Sequence, residues 1–246
     1  MWILYPLLFF AGFVDSIAGG GGLISLSAYL AAGLPPHLAV GTNKFSAFIG
    51  TGLAAAYFVK KGHVLWSSAL YSLTGALIGS AIGAKLVLMV DETSLSWILL
   101  VAIPLIAVVV LWKKDLGSTP RDLPPRRAAV ASLAIGLAVG LYDGFIGPGT
   151  GTLLILAFTL ILGQSLLLAC GNTKIVNFAS NLAAVAIFIR SGDIDYGVGI
   201  PCALCAIAGN LVGARLTVRN GAKIVRPMML FVVTLLLAKV LRDLIQ

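Results

Sequence analysis

Two lysines lie where an apolar chain least tolerates them: Lys44 in GTNKFSAF (41–48) and Lys174 in GNTKIVNF (171–178). An ionisable side chain inside a membrane-type segment costs about 2.5–3.5 kcal/mol on insertion scales and faces a pathway or a partner. Each lysine follows a hydrogen-bonding pair, Thr42 and Asn43 in one stretch and Asn172 and Thr173 in the other, and Asn177 lies one turn beyond Lys174. Two aspartates, Asp15 and Asp143, stand just ahead of glycine-rich runs, DSIAGGGGLI (15–24) and YDGFIGPGTG (142–151). Glycine inside a helix costs roughly 1 kcal/mol relative to alanine, so Gly19, Gly20, Gly21 and Gly22 read as a helix break. Gly147, Gly149 and Gly151, with Thr150 among them, read the same way. A helix that restarts after such a break aims its N–H groups, and a partial positive charge, back at the break. The chemistry these residues suit is the binding of a small anion between bare backbone and the lysines. Two roles stay open for the aspartates: capping a half-helix or neutralising the lysines, and carrying a coupling proton. Each lysine also begins its apolar segment and is close enough to snorkel to an interface.

Other chemistries lack their residues. The glycine runs have no following G-K-[ST] and no preceding strand, and TNKF lacks the aspartate of a guanine-reading N-K-x-D. His37 and His63 are isolated at joints, and neither H-E-x-x-H nor G-x-S-x-G occurs, so no catalytic residue, metal or cofactor is expected and the chain does not read as an enzyme. Cys202 and Cys205 form a C-x-x-C that reads as small residues at a helix contact.

The elements that position these residues must be membrane helices. Apolar residues make up 59% of the 246 and charged residues 11%, against about 25% charged in soluble domains; the mean hydropathy is +1.04. Apolar stretches at 2–33, 38–59, 64–90, 95–112, 128–162, 166–189, 196–214 and 228–241 are separated by short charged or Pro/Gly-rich joints, which makes about eight candidate transmembrane segments. The net charge of +8 resides in those joints, the placement of a positive-inside bias rather than of a nucleic-acid surface. The N-terminus has no basic n-region and its motif recurs mid-chain, so it reads as mature structure rather than a signal peptide. Trp2, Trp66, Trp97 and Trp112 lie near segment ends, as in an aromatic belt.

The chain repeats itself. Asp15 falls on Asp143, Lys44 on Lys174, GSAIGAKL (79–86) on GNLVGARL (209–216) and FVKKGHV (58–64) on FIRSGDI (188–194). This divides the chain into a first repeat, 1–112, a basic linker, 113–127, and a second repeat, 128–246, each with about four apolar segments. Residues 2–33 as one helix would be about 48 Å long, far more than a bilayer core of roughly 30 Å. If each glycine-broken segment enters and returns, Lys60, Lys61, Lys113, Lys114, Arg121, Arg126, Arg127, Arg215, Arg219, Lys223 and Arg226 share one side, and only Lys85, Arg190 and Arg242 lie opposite. That division fits the positive-inside rule better than eight simple spans do. The fold class expected is therefore an all-α polytopic membrane protein of two inverted repeats, the first segment of each broken at its glycines, with both termini outside. Gly75, Gly79 and Gly83 at intervals of four, and Gly213, mark close helix contacts. Asn177 and Asn181 share a helix face with Lys174 and read as ligand groups or interhelical glue; their counterparts Ala47 and Thr51 are less polar, so the site should be asymmetric.

The stretches AGFVDSIAGGGGLISLSAYLAAGLPPHLAVGTNK and VGLYDGFIGPGTGTLL resemble those of the TauE/SafE family of sulfite-exporter-type permeases, most closely its YfcA-like members. The resemblance implies a duplicated four-segment unit in a multi-pass transporter of the bacterial inner membrane, moving sulfur-containing oxyanions or organosulfonates such as sulfite. It carries the glycine stretches and the lysines of GTNK and GNTK over to Gly19–Gly22, Gly147–Gly151, Lys44 and Lys174. The partners expected are a small anionic substrate, the lipid bilayer and a coupling proton, with no nucleic acid; a homo-oligomer is compatible with the sequence. An anion channel of the same architecture is the competing reading. The topology has a direct test: a cysteine placed at Ser118 in a Cys-free background is expected to resist membrane-impermeant labelling in intact cells, and its labelling would refute a cytoplasmic linker.

Overall fold

The computed structural model describes residues 2–95, 97–98 and 123–232; most of the basic linker 113–127, Trp112 and the last fourteen residues, 233–246, lie outside the described residues. The first repeat supplies α1 (Leu4–Ala18), α2 (Gly21–Ala31), α3 (Pro36–Lys60) and α4 (Trp66–Val87). The second supplies α5 (Pro125–Phe145), α6 (Thr150–Leu160), α7 (Leu166–Ser191) and α8 (Tyr196–Asn220). No strand occurs among the described residues. Helix boundaries follow local chemistry. Proline opens α3 and α5, where its missing N–H would be unpaired anyway. Asp195 caps α8 by accepting from the Val198 N–H at 3.0 Å. Helices α4, α5, α7 and α8 are long and apolar enough to cross a membrane, and the protein is an all-α, multi-pass membrane protein.

Helix directions can be read from the contacts. Thr42 and Gly50 of α3 meet Asp195 and Ala206 in the same order, so α3 and α8 run parallel. Ser68 and Ser80 of α4 meet Asn172 and Ser180, so α4 and α7 run parallel. Gly41 packs on Phe188 while Gly171 packs on Phe58, so α3 and α7 run antiparallel. The equivalent helices of the two repeats therefore point in opposite directions, and the repeats are inverted. Between them, Phe48 stacks on Phe178, its own counterpart, with ring centroids 5.1 Å apart.

The broken segments double back. Gly209 and Gly213 of α8 lie against Phe9 and Phe13 of α1, which makes α1 parallel to α8 and hence to α3. A chain that leaves α1 and starts α3 in the same direction must have come back, and α2 is the return. At 15 and 11 residues, α1 and α2 are about 22 and 17 Å long, each shorter than a bilayer core of about 30 Å. The α5–α6 hairpin enters from the other end. Lys60, Lys61, Arg126, Arg127, Arg215, Arg219, Lys223 and Arg226 consequently share one end of the bundle, while Lys85 and Arg190 lie toward the other with Asp91, Glu92, Asp193 and Asp195.

The two repeats are interlocked rather than side by side. The hairpin helix α1 packs on α8 of the other repeat, and α5 packs on α4. Glycines make both contacts close. A Cβ on Gly75, Gly79 or Gly83 would strike the α5 backbone at Leu133, Leu137 or Leu141, and one on Gly136, Gly140 or Gly144 would strike α4. Packing of this kind, with small residues at the seam, replaces the hydrophobic drive that helices lack within a lipid bilayer. Replacing Gly79 with leucine should therefore wedge α4 from α5 and destabilise the purified protein by at least the 1–3 kcal/mol or so typical of overpacking. An unchanged melting temperature would show that this seam does not exist.

Candidate functional site

Each hairpin turns at its glycines. Helix α1 ends at Gly19, whose φ of +76° is left-handed and whose N–H reaches the Asp15 carbonyl at 2.9 Å. The second break carries Gly147 and Gly149 at φ +91° and +80°. There the Tyr142 hydroxyl donates to the Pro148 carbonyl at 2.5 Å. The two tips touch. A Cβ on Gly19 would fall on the Gly151 backbone and one on Gly151 would fall on Gly19, while Thr152 Oγ1 donates to the Ala18 carbonyl at 2.8 Å. Only residues without side chains let two breaks from opposite ends of the bundle meet this closely.

The charged groups pair across the repeats. Lys44 Nζ lies 2.8 Å from Asp143 Oδ1, and Lys174 Nζ lies 2.6 Å from Asp15 Oδ2. Both lysines are buried, so neither snorkels to an interface. The aspartates are held differently. Asp143 also accepts from Thr150 Oγ1 at 2.8 Å and from Ser180 Oγ at 2.5 Å, so both of its oxygens are engaged. Among the described residues Asp15 has Lys174 alone on its carboxylate, and it keeps 15% of its side chain exposed, against 6% for Asp143.

Between the tips and the α3–α7 crossing lies a cavity of about 50 Å³. Of the residues singled out in the sequence, Gly19, Gly21, Gly22, Asn43, Lys44, Gly147, Thr150, Gly151 and Asn177, together with Asp15 and Asp143, border it. Gly20, Thr42, Gly149, Asn172, Thr173 and Lys174 do not. Gly20 packs on Val232, and Gly149 is the N-cap of α6. Thr42 and Asn172 are paired structural caps. Thr42 Oγ1 accepts from the Asp195 N–H at the start of α8, and Asn172 Oδ1 accepts from the Leu65 N–H at the start of α4, both at 2.9 Å. Thr173 Oγ1 is buried without a hydrogen-bond partner among the described residues. Sequence reasoning missed Ser25, Ser46, Thr51 and Asn210 as lining residues. Ser46 and Thr51 lie on the α3 face that carries Asn43, at helical spacing from it, and that periodicity is the signal that could have found them.

The polar lining is lopsided. Ser25 donates to Asn43 Oδ1 at 2.6 Å, and the Tyr29 hydroxyl donates to Ser46 Oγ at 2.9 Å. The repeat counterparts of Ser25 and Ser46 are Ile155 and Val176. Each repeat therefore brings different polar groups to the lining, and the pseudo-two-fold relation of the scaffold is not kept there.

A model of the family described as sulfite exporter TauE/SafE matches residues 4–240. A protein named probable membrane transporter protein from Haemophilus influenzae is 36% identical over 98% of this chain and 94% of its own length. The probable membrane transporter protein ORF9 of Sinorhizobium sp is 36% identical over 98% of this chain and 92% of its own. The probable membrane transporter protein YfcA of Escherichia coli K12 is 35% identical over 98% and 89%. No solved structure matches the chain.

The pairing has an energetic signature. Removing one partner of a buried ion pair leaves an uncompensated charge and costs roughly 3–5 kcal/mol. Lys44→Met should lower the melting temperature sharply, and Lys44→Met with Asp143→Asn should recover most of the loss. Equal stability of the single and double variants would mean that the two groups do not depend on each other.

Proposed function

Because the chain belongs to the sulfite exporter TauE/SafE family of membrane transporters, we propose that it is a secondary transporter of small anions working by alternating access. The substrates are sulfur-containing oxyanions or organosulfonates such as sulfite, and no chemical step is performed on them. The observation that carries this reading is the cavity at the breaks of two inverted, interlocked repeats, bordered by the ion pair Lys44–Asp143 and by Asp15 of its counterpart. Sites between broken helices of inverted repeats suit transporters because rocking one repeat against the other opens the same site to either face. The end of the bundle that carries most of the basic residues faces the cytoplasm of the bacterial inner membrane, which leaves the start of α1 periplasmic.

Electrostatics suggests how a proton enters. Both lysines already have counter-ions, so a bound anion is an excess negative charge in an apolar surround. A proton on Asp15 offsets that charge and releases Lys174 toward the substrate. Asp15 suits this task better than Asp143, whose two oxygens are already engaged by three donors. The proton and the anion then travel together.

Proteoliposomes test the whole reading. Purified protein should accelerate the movement of sulfite and of methanesulfonate, the latter because it stays ionised at every pH used, and an imposed pH gradient should drive accumulation. Asp15→Asn should abolish the response to the gradient. Passive conductance that ignores the gradient would make the protein a channel, and the absence of any flux would sink the transporter reading for these anions.

A further inference from the structure

Four carboxamides border the cavity: Asn43, Asn177, Asn181 and Asn210. Two are occupied by protein. Asn43 Oδ1 accepts from Ser25 Oγ at 2.6 Å, while Asn210 accepts from Ser16 Oγ at 2.8 Å and donates to the Ala206 carbonyl at 2.9 Å. The other two, Asn177 and Asn181, are each 5% exposed. Among the described residues neither carboxamide bonds to protein; the buried atom left without a partner is Asn177 Oδ1, an acceptor, and a half-turn of the amide exchanges it with the Nδ2 donors. A buried amide atom without a partner is rare in folded proteins and asks for an explanation. Interhelical glue is not that explanation, since glue requires a partner on another helix.

The pair is built to face one ligand. Positions four apart on a helix lie about 5–6 Å from each other at Cβ and share a face, so the two carboxamides of α7 can hold two oxygens of a single group. Opposite them are Ala47 and Thr51, their own repeat counterparts, which border the same cavity and leave room where amides would otherwise collide. The Phe48–Phe178 stack beside them fixes how α3 faces α7. The cavity of about 50 Å³ is several times the roughly 10–15 Å³ that a single water needs, so it admits a small group. Amide N–H groups also bind an anion without adding a charge that would need its own counter-ion.

We propose that Asn177 and Asn181 are the recognition face of the site, binding the oxygens of an SO3-type head group, while Lys44 and Lys174 keep their aspartates as the resting partners. This rests on the transporter reading of the cavity. It adds Asn181 as a binding residue, assigns specificity to the second repeat alone, and makes neutral donors rather than lysines the groups that count oxygens.

Titration calorimetry on the purified full-length protein, with sulfite and with methanesulfonate, tests it against melting temperatures taken without ligand. Asn177→Ala with Asn181→Ala should weaken binding of both anions at least tenfold and leave the unliganded melting temperature unchanged or higher, since no protein hydrogen bond is lost. Asn181→Asp, which keeps the shape but replaces donors with a negative charge, should weaken binding further. Wild-type binding that survives the double substitution within twofold overturns the assignment and leaves the transporter reading standing. A lower melting temperature in the double variant also overturns it, because the amides would then be structural. Wild-type protein that binds neither anion overturns both readings.

Discussion

A lysine ammonium inside an apolar bundle must have a carboxylate within reach, and in this protein the carboxylate always comes from the other repeat. Lys44 of the first repeat is neutralised by Asp143 of the second, and Lys174 of the second by Asp15 of the first. Neither half can bury its own lysine alone. The arrangement therefore demands everything around it: hairpins that carry each aspartate into the protein interior, inverted repeats that bring each hairpin to the opposite lysine, and helix seams close enough to hold the halves together. Glycine supplies the seams at α1–α8 and α4–α5, and supplies the contact at which the two tips meet.

Symmetry governs the scaffold and fails at the site. Gly41 sits under the Asp193 carbonyl as Gly171 sits under that of His63, Thr42 caps α8 as Asn172 caps α4, and Phe48 meets Phe178. These paired devices set the relative position of the halves, and a scaffold of two equivalent halves has two equivalent ways to tilt. The cavity obeys no such rule. Ser25 and Ser46 correspond to Ile155 and Val176, and Asn177 and Asn181 to Ala47 and Thr51. Divergence after duplication is concentrated in this lining, while the scaffold contacts keep their pairs. The same difference separates the aspartates: one is locked by three donors, the other held by a single lysine.

The sequence by itself determined the membrane class, the duplication, the two helix breaks and the inversion. These follow from quantities that are local or additive: hydropathy along the chain, the cost of glycine in a helix, the match of DSIAGGGG to YDGFIGPGTG, and the side on which each basic joint falls. It also picked out Lys44, Lys174, Asp15 and Asp143, because a charge in an apolar run is visible without any fold. What it could not decide was who meets whom. Thr42 and Asn172 look like ligand groups beside their lysines, yet a helical turn of 3.6 residues per 360° points neighbours in different directions, and these two cap helices of the facing repeat. Ser25, Ser46, Thr51 and Asn210 are spread over α2, α3 and α8 and become one lining only once those helices pack together. The pairing of each lysine with the distant aspartate, and the lack of a protein hydrogen bond to the Asn177 and Asn181 side chains among the described residues, are properties of space between helices. Tertiary structure alone decides them, because a hydrogen bond or an ion pair depends on a distance of a few ångströms that no spacing along the chain records.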